Sequence, residues 1–276
     1  MDAPGASRRH LMLITPERVF YAGLLGRPKN RISNGFNVYV ALEGSLSMVA
    51  DGIRREDPDL LAAPPNLRHT IASEGRTVVC LVIEPETVAD GGLERLAKRL
   101  AGPERRRAAA RIRAAYATLA RLDPKTVDAA ELDRLSFGEP LPSRPMDPRV
   151  LRAIRRITAF EREPATAEAC AAAAGLSVSR FLHLFREETG LGFRAFRAWK
   201  RARHLLHYVG EEVNLARLAQ DIGYPDSSHF SHSIRRFYGL KPRAIFSGSR
   251  DLAVYCGPGA FGRDRTDAPK IAAGAP

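Results

Sequence analysis

The sequence predicts an α+β chain. A small β-barrel with trailing helices comes first, and an all-α domain with two helix-turn-helix units joined by a long helix follows. Three observations predict this. Residues 10–85 break into short apolar runs separated by turn signals at close, fairly regular spacing. Residues 92–122 and 148–247 place their apolar side chains at helical spacing. Within the second of these helical stretches the chain repeats itself at a shift of 49 residues.

The strand candidates are 10–14, 19–25, 36–42, 45–50, 60–63, 67–72 and 77–83. Glu43-Gly44, Asp51-Gly52, Pro64-Pro65-Asn66 and Glu74-Gly75 punctuate them. Leu93, Leu96 and Leu100, then Ile112, Ala115, Tyr116, Leu119 and Leu122, mark two helices divided by Gly102-Pro103, and Arg105 to Arg107 reads as a solvated face. Residues 1–122 are therefore expected to form one domain. Residues 123–147 hold Pro124, Pro140, Pro142 and Pro145 and are expected to be a linker, most clearly over 138–147. Residues 148–247 form the helical domain, and 248–276, rich in Gly, Pro and Ala, are expected to be a disordered tail.

The chain has 276 residues and a formal net charge of +12. The excess is uneven: 147–250 carries 18 Lys+Arg against 10 Asp+Glu, whereas 1–146 carries 22 against 18. A basic C-terminal segment makes nucleic acid the first partner to consider. The three cysteines, Cys80, Cys170 and Cys256, are widely spaced and form no CxxC, which suits a reducing compartment. The apolar run after Arg8 and Arg9 is too short for a signal peptide, and no stretch approaches the roughly 20 apolar residues of a membrane helix. A soluble, cytoplasmic protein without membrane contact is expected.

The repeat is detailed. Ser179 to Arg186 aligns with Ser228 to Arg235, and Gly190, Leu191, Arg194 and Ala195 fall on Gly239, Leu240, Arg243 and Ala244. Each copy reads helix, glycine turn, helix. In the first, 166–174 is a short Ala-rich helix, Gly175 the turn, Ser177 the N-cap of a helix to Thr189, and Gly190 its stop. In the second, Asn214 caps 215–222, Gly223 turns, and Asp226 or Ser227 caps a helix to Tyr238, stopped by Gly239. Leu176, Phe181, Leu184 and Phe185 face one core; Leu218, Ile222, Phe230, Ile234 and Phe237 face another. The opposite faces are short, polar or cationic, as major-groove readers require. Between the copies, 192–208 reads as one helix roughly 25 Å long. That is a strut of about the length needed to hold two heads one DNA turn apart, ~34 Å.

These residues resemble the AraC/XylS-type family of bacterial transcription regulators. The resemblance is carried by Leu176-Ser177, Phe181, Phe185-Arg186, Gly190, Arg201-Ala202, Leu205-Leu206, Leu218-Ala219, Gly223-Tyr224, Asp226 through Ser231, Gly239 and Pro242-Arg243. It covers roughly 148–247, with Ile234 standing where the family usually has Phe. The resemblance implies base readers at Ser179, Leu182 and His183 in the first unit and Ser227, Ser228 and His232 in the second. The histidines stand where many relatives place Arg, so part of the readout is expected through DNA shape. Arg180, Arg186, Arg194, Lys200, Arg235, Arg236, Lys241 and Arg243 are phosphate candidates, about half of them expected to touch DNA. Double-stranded DNA and RNA polymerase are the implied partners, and activation the implied mode.

The N-terminal strands, with the stretch from Glu43-Gly44 to His69, are similar to the cupin-like sensory domains attached to this family. A small-molecule effector at residues 10–85 is implied by that analogy. Metal-binding cupins use paired histidines and a carboxylate; here only His69 is near a suitable place, so no metal or other cofactor is expected. The Ile112, Tyr116 and Leu119 stripe either pairs two chains into a homodimer or packs on its own barrel. An enzyme is not expected: the chain has no Gly-x-Ser-x-Gly and no phosphate-cradling glycine loop. The alternatives are a cupin-type enzyme fused to a DNA-binding domain and a non-specific architectural DNA binder.

Overall fold

The computed structural model describes residues 10–121, 124–160, 165–248 and 251–260; Leu122 of the helical stripe and the expected tail from 261 onward lie outside them. The chain opens with strands β1 (His10–Ile14), β2 (Arg18–Leu24), β3 (Arg31–Ile32), β4 (Phe36–Ala41), β5 (Leu46–Ala50), β6 (Ile53–Asp57), β7 (Leu60–Ala63), β8 (Arg68–Ser73) and β9 (Thr77–Ile83). Helices α1 (Gly92–Ala101), α2 (Arg105–Leu119) and α3 (Ala129–Phe137) complete this half. The helical half holds α4 (Pro148–Thr158), α5 (Ala167–Ala173), α6 (Val178–Thr189), α7 (Phe193–His204), α8 (Leu215–Asp221), α9 (Ser227–Tyr238) and α10 (Pro242–Gly248). A last strand, β10 (Leu252–Cys256), follows. No helix among the described residues is long and apolar enough to cross a membrane.

The strands form a six-stranded sheet in the order β10-β1-β2-β9-β4-β7 and a four-stranded sheet in the order β3-β8-β5-β6. Alternation decides what each face of the large sheet meets. Phe20, Ala22, Val38, Val40, Val79 and Leu81 share a core with Leu96, Leu100, Ile112 and Leu119 of α1 and α2. Tyr39, Ala41 and Val78 point the other way and close a second core with Leu46, Met48 and Ile71 of the small sheet. Met12, Ile14 and Val19, on the same large sheet, pack instead on Leu206 and Val209 of the helical half. The barrel is thus covered by its own helices on one side and by the second domain on part of the other.

One alternative left open by the sequence is narrowed, and three expectations are corrected. The Ile112 and Leu119 side chains are buried in the barrel's own core, with Tyr116 packed against it, so the stripe is not a free face for pairing two chains. The segment expected as a linker contains α3. Asp128 caps it by accepting from the Glu131 amide at 2.7 Å, and Leu132 and Phe137 join the barrel core. Its Asp133 accepts from Arg18 Nε and Nη2, both at 2.8 Å, in a buried bidentate pair. A nine-residue helix shows too few apolar positions for periodicity to reveal it. In the expected tail, Leu252 to Cys256 lie parallel to β1, with His10 opposite Leu252 and Ile14 opposite Cys256. Finally, the arginine run is not simply solvated: Arg105 pairs with Asp57 at 3.0 Å and ties α2 to β6. β6 itself, Ile-Arg-Arg-Glu-Asp, has no apolar pattern and is held as a strand by its ladder to β5.

Candidate nucleic-acid interface

Local chemistry builds the two heads alike. Thr166 caps α5 by accepting from the Ala169 amide at 3.1 Å, and Ser177 caps α6 by accepting from the Arg180 amide at 3.4 Å. Asn214 caps α8 through the Ala216 and Arg217 amides, and Asp226 caps α9 through the Ser228 and His229 amides at 2.8 Å each. The His229 ring also meets Asp226 at 2.8 Å, and these hydrogen bonds hold the Asp226 carboxyl below its usual range. Both reading helices end on a glycine at φ +71°, Gly190 and Gly239, whose left-handed backbone favours a residue without Cβ.

Buried faces then set which residues are left outward. Phe181 and Phe185 of α6 pack edge-on against Phe193 and Phe196. Phe230, Ile234 and Phe237 of α9 pack with Leu218, Ile222 and Trp199. Ser179, Leu182 and His183 are therefore exposed on α6, and Ser227, Ser228 and His232 on α9. Leu182 is a large apolar residue left 37% exposed with no core role. Arg180, Arg186, Arg194, Arg235, Arg236, Lys241 and Arg243 are also exposed.

Lys200 is the exception among the phosphate candidates. It is 4% exposed, and its Nζ lies 2.6 Å from both Glu84 and Glu86. Sequence reading missed this because the partners lie more than a hundred residues upstream. It also missed Arg149. This α4 residue is braced by Asp147 and shares a shallow groove with Ser179, Arg180 and His183. The helix-starting Asp147-Pro148-Arg149 is the signal that placed it there.

The strut is α7 continued by a 3₁₀ turn over Leu205–Tyr208, roughly 26 Å in all. It is fastened to the barrel through buried charge. Glu84 accepts from the Trp199 indole at 2.9 Å and from Lys200 at 2.6 Å, and Arg203 Nε lies 3.1 Å from it. Arg203 also donates to the Thr15, Pro16 and Arg18 carbonyls. Burial alone would raise the Glu84 carboxyl; the Lys200 and Arg203 charges outweigh it and hold it below the usual carboxylate range. Glu86, buried and beside Glu84, is pushed up.

A cavity of about 470 Å³ lies at the same junction. Its walls are Tyr21, Cys80 and Val82 of the large sheet, Trp199 of the strut, and Phe237, Tyr238 and Ile245 of the second head. The effector site was expected in the barrel; this cavity takes one wall from the helical domain.

A helix-turn-helix domain model matches residues 170–247. Invasion protein InvF of Salmonella typhi is 33% identical over 72 residues, which are 26% of this chain and 33% of InvF. The chain thus spans about a third of the length of the curated relatives it matches. ToxT of Vibrio cholerae O395 superposes with a TM-score of 0.50 at 11% identity, covering 85% of this chain and 99% of ToxT. An apo ToxT variant from Vibrio cholerae strain SCE256 gives 0.50 at 10%, covering 84% and 97%. At that identity the likeness speaks for the fold: a β domain followed by a double helix-turn-helix domain. The repeated, side-chain-capped helix pairs and the domain match together make residues 170–247 a helix-turn-helix domain.

Proposed function

We propose that this chain is a sequence-specific transcription activator whose two reading helices, α6 and α9, enter successive major grooves of one duplex. The observation that carries the reading is the matched exposure of Ser179, Leu182 and His183 with Ser227, Ser228 and His232, on helices whose opposite faces are fully engaged in core packing. Serine and histidine hydrogen-bond base edges, and Leu182 offers an apolar contact to a thymine methyl. The two heads differ at the leucine, Leu182 against Ser231, and at a flanking position, Val178 against Ser227, which favours an asymmetric site over architectural binding. Arg180, Arg186, Arg194, Arg235, Arg236, Lys241, Arg243 and Arg149 would grip phosphates and set register. RNA polymerase is the partner through which activation would act. A small-molecule effector in the junctional cavity would shift the arrangement of the second head, a population shift without chemistry on a substrate.

The test is a random-site selection followed by salt-dependent titration of the full chain. An enriched asymmetric duplex about two helical turns long is expected. Arg235→Ala with Arg236→Ala should weaken binding to all duplexes and reduce the slope of log K against log salt by about 2. Uniform, steeply salt-sensitive binding without an enriched site would overturn the sequence-reading claim.

A further inference from the structure

The strut is enclosed on three sides, and its fourth side carries three arginines. The barrel covers Trp199, Lys200 and Arg203, the first head takes Phe193 and Phe196, and the second takes Ala202 and Leu205. The face left over holds Arg194, Arg197 and Arg201, at i, i+3 and i+7 of the helix. Arg194 is exposed and the other two are half-buried. Lys200 and Arg203 of the same helix have carboxylate partners, but among the described residues none of these three has one. Burial, and after it the neighbouring Arg197 charge, lowers the Arg201 pKa, as expected where one guanidinium crowds another.

Each half-buried arginine is registered to one reading helix. The Arg197 guanidinium carbon lies 5.8 Å from the Phe193 ring centre, and that ring packs edge-on against Phe181 and Phe185 of α6. The Arg201 guanidinium carbon lies 5.3 Å from the Tyr224 ring centre, and the Tyr224 hydroxyl meets Ser233 of α9 at 2.9 Å. Seating on a ring holds each cation in place before any partner arrives. Two heads in successive major grooves leave one minor groove between them on the same face of the duplex, and the strut spans it. From Arg194 to Arg201 is roughly 10 Å along the helix, enough to reach across a minor groove about 6 Å wide. A narrow minor groove concentrates negative potential and draws arginine. We propose that Arg194, Arg197 and Arg201 form a third DNA contact, over the minor groove between the heads, which holds phosphates on both walls and selects a spacer with a narrow groove. The proposal rests on the two-headed reading above and adds a source of specificity that touches no base edge in the major groove.

The full chain is titrated on duplexes that keep both half-sites from the random-site selection and differ only in the spacer. An A·T-tract spacer should bind about fivefold tighter or more than a G·C spacer. An inosine·cytosine spacer keeps the G·C pattern in the major groove and removes the guanine amino group from the minor groove, so it should bind like the A·T tract. Arg197→Gln with Arg201→Gln should reduce the slope of log K against log salt by about 2 and erase the spacer preference. Arg194→Gln alone, at an exposed position outside both cores, should reduce the slope by about 1. Equal affinity for A·T and G·C spacers in the unmodified chain overturns the proposal without recourse to any variant, and an inosine spacer that behaves like G·C overturns it too. A spacer preference that survives in the double variant also overturns it, since the heads would then be deforming the spacer by themselves. An enriched site with an indifferent spacer sinks this proposal alone; no enriched site sinks the two-headed reading, and this proposal with it.

Discussion

The two helix-turn-helix units share a design and differ in their attachments. The first builds a private core, with Phe181, Phe185, Phe193 and Phe196 closing on each other. The second shares its core with the barrel: Val82 of β9 packs against the Trp199, Phe230 and Phe237 cluster, and the Lys29 amide donates to the Gly239 carbonyl at 2.8 Å. One glycine pair captures the difference. A Cβ at Gly190 would meet nothing within 4 Å, but a Cβ at Gly239 would lie 2.4 Å from the Lys29 carbonyl oxygen. The two copies are built alike, and the fold ties the second to the barrel more closely than the first.

The largest test removes the anchor. Glu84→Ala would leave Lys200 and Arg203 buried without their shared carboxylate, at a cost of about 3–5 kcal/mol in urea unfolding. A loss below about 1 kcal/mol would mean the heads are not held through the strut. Next come the two glycines. Gly190→Ala should cost about 1–2 kcal/mol from left-handed strain alone, and Gly239→Ala about 3 kcal/mol or more, because strain and overlap add. Equal losses would erase the distinction between free and anchored heads.

Acid gives a third, smaller effect on the same junction. His204, the last residue of α7, and His69 in the barrel are buried, and burial lowers their pKa values to about 3 and about 4. Both stay neutral in the fold while the unfolded chain takes up protons below about pH 6.5. The unfolded state then binds more protons, so stability falls as pH drops from about 6.5 towards 4. Each histidine contributes about 2 kcal/mol of loss near pH 5. His204→Gln should flatten the pH dependence of Tm; an unchanged profile would mean that His204 titrates normally. Smallest is the comparison of readers. His183→Ala and His232→Ala should each cost about 1 kcal/mol on the selected duplex, at different base positions. Loss at the same position from both would contradict a two-headed footprint.

What the sequence made legible follows from distance along the chain. The caps Ser177, Asn214 and Asp226 and the stops Gly190 and Gly239 act on neighbours within a turn, and they stand where local reading put them. The base-reader candidates came from the family resemblance, and the helical period leaves them exposed. Lys200 was misread because its partners are remote, and an isolated Lys on a basic helix looks like any phosphate ligand. α3 and β10 were misread because each is short and draws its stability from the barrel. The cavity was invisible because its two walls come from chain segments with no local sign of meeting.

The parallel pairing of β10 with β1 has a consequence for how the chain is made. β1 leaves the ribosome well before the strand that covers its outer edge, which begins at Leu252. Until β10 is made, the nascent barrel therefore carries an open, apolar edge, the kind that recruits strands from other chains. The reading heads must emerge and pack before that edge is sealed. Newborn chains cut short between β9 and residue 252 would be the aggregation-prone species, and β10 is what seals the edge of the sheet.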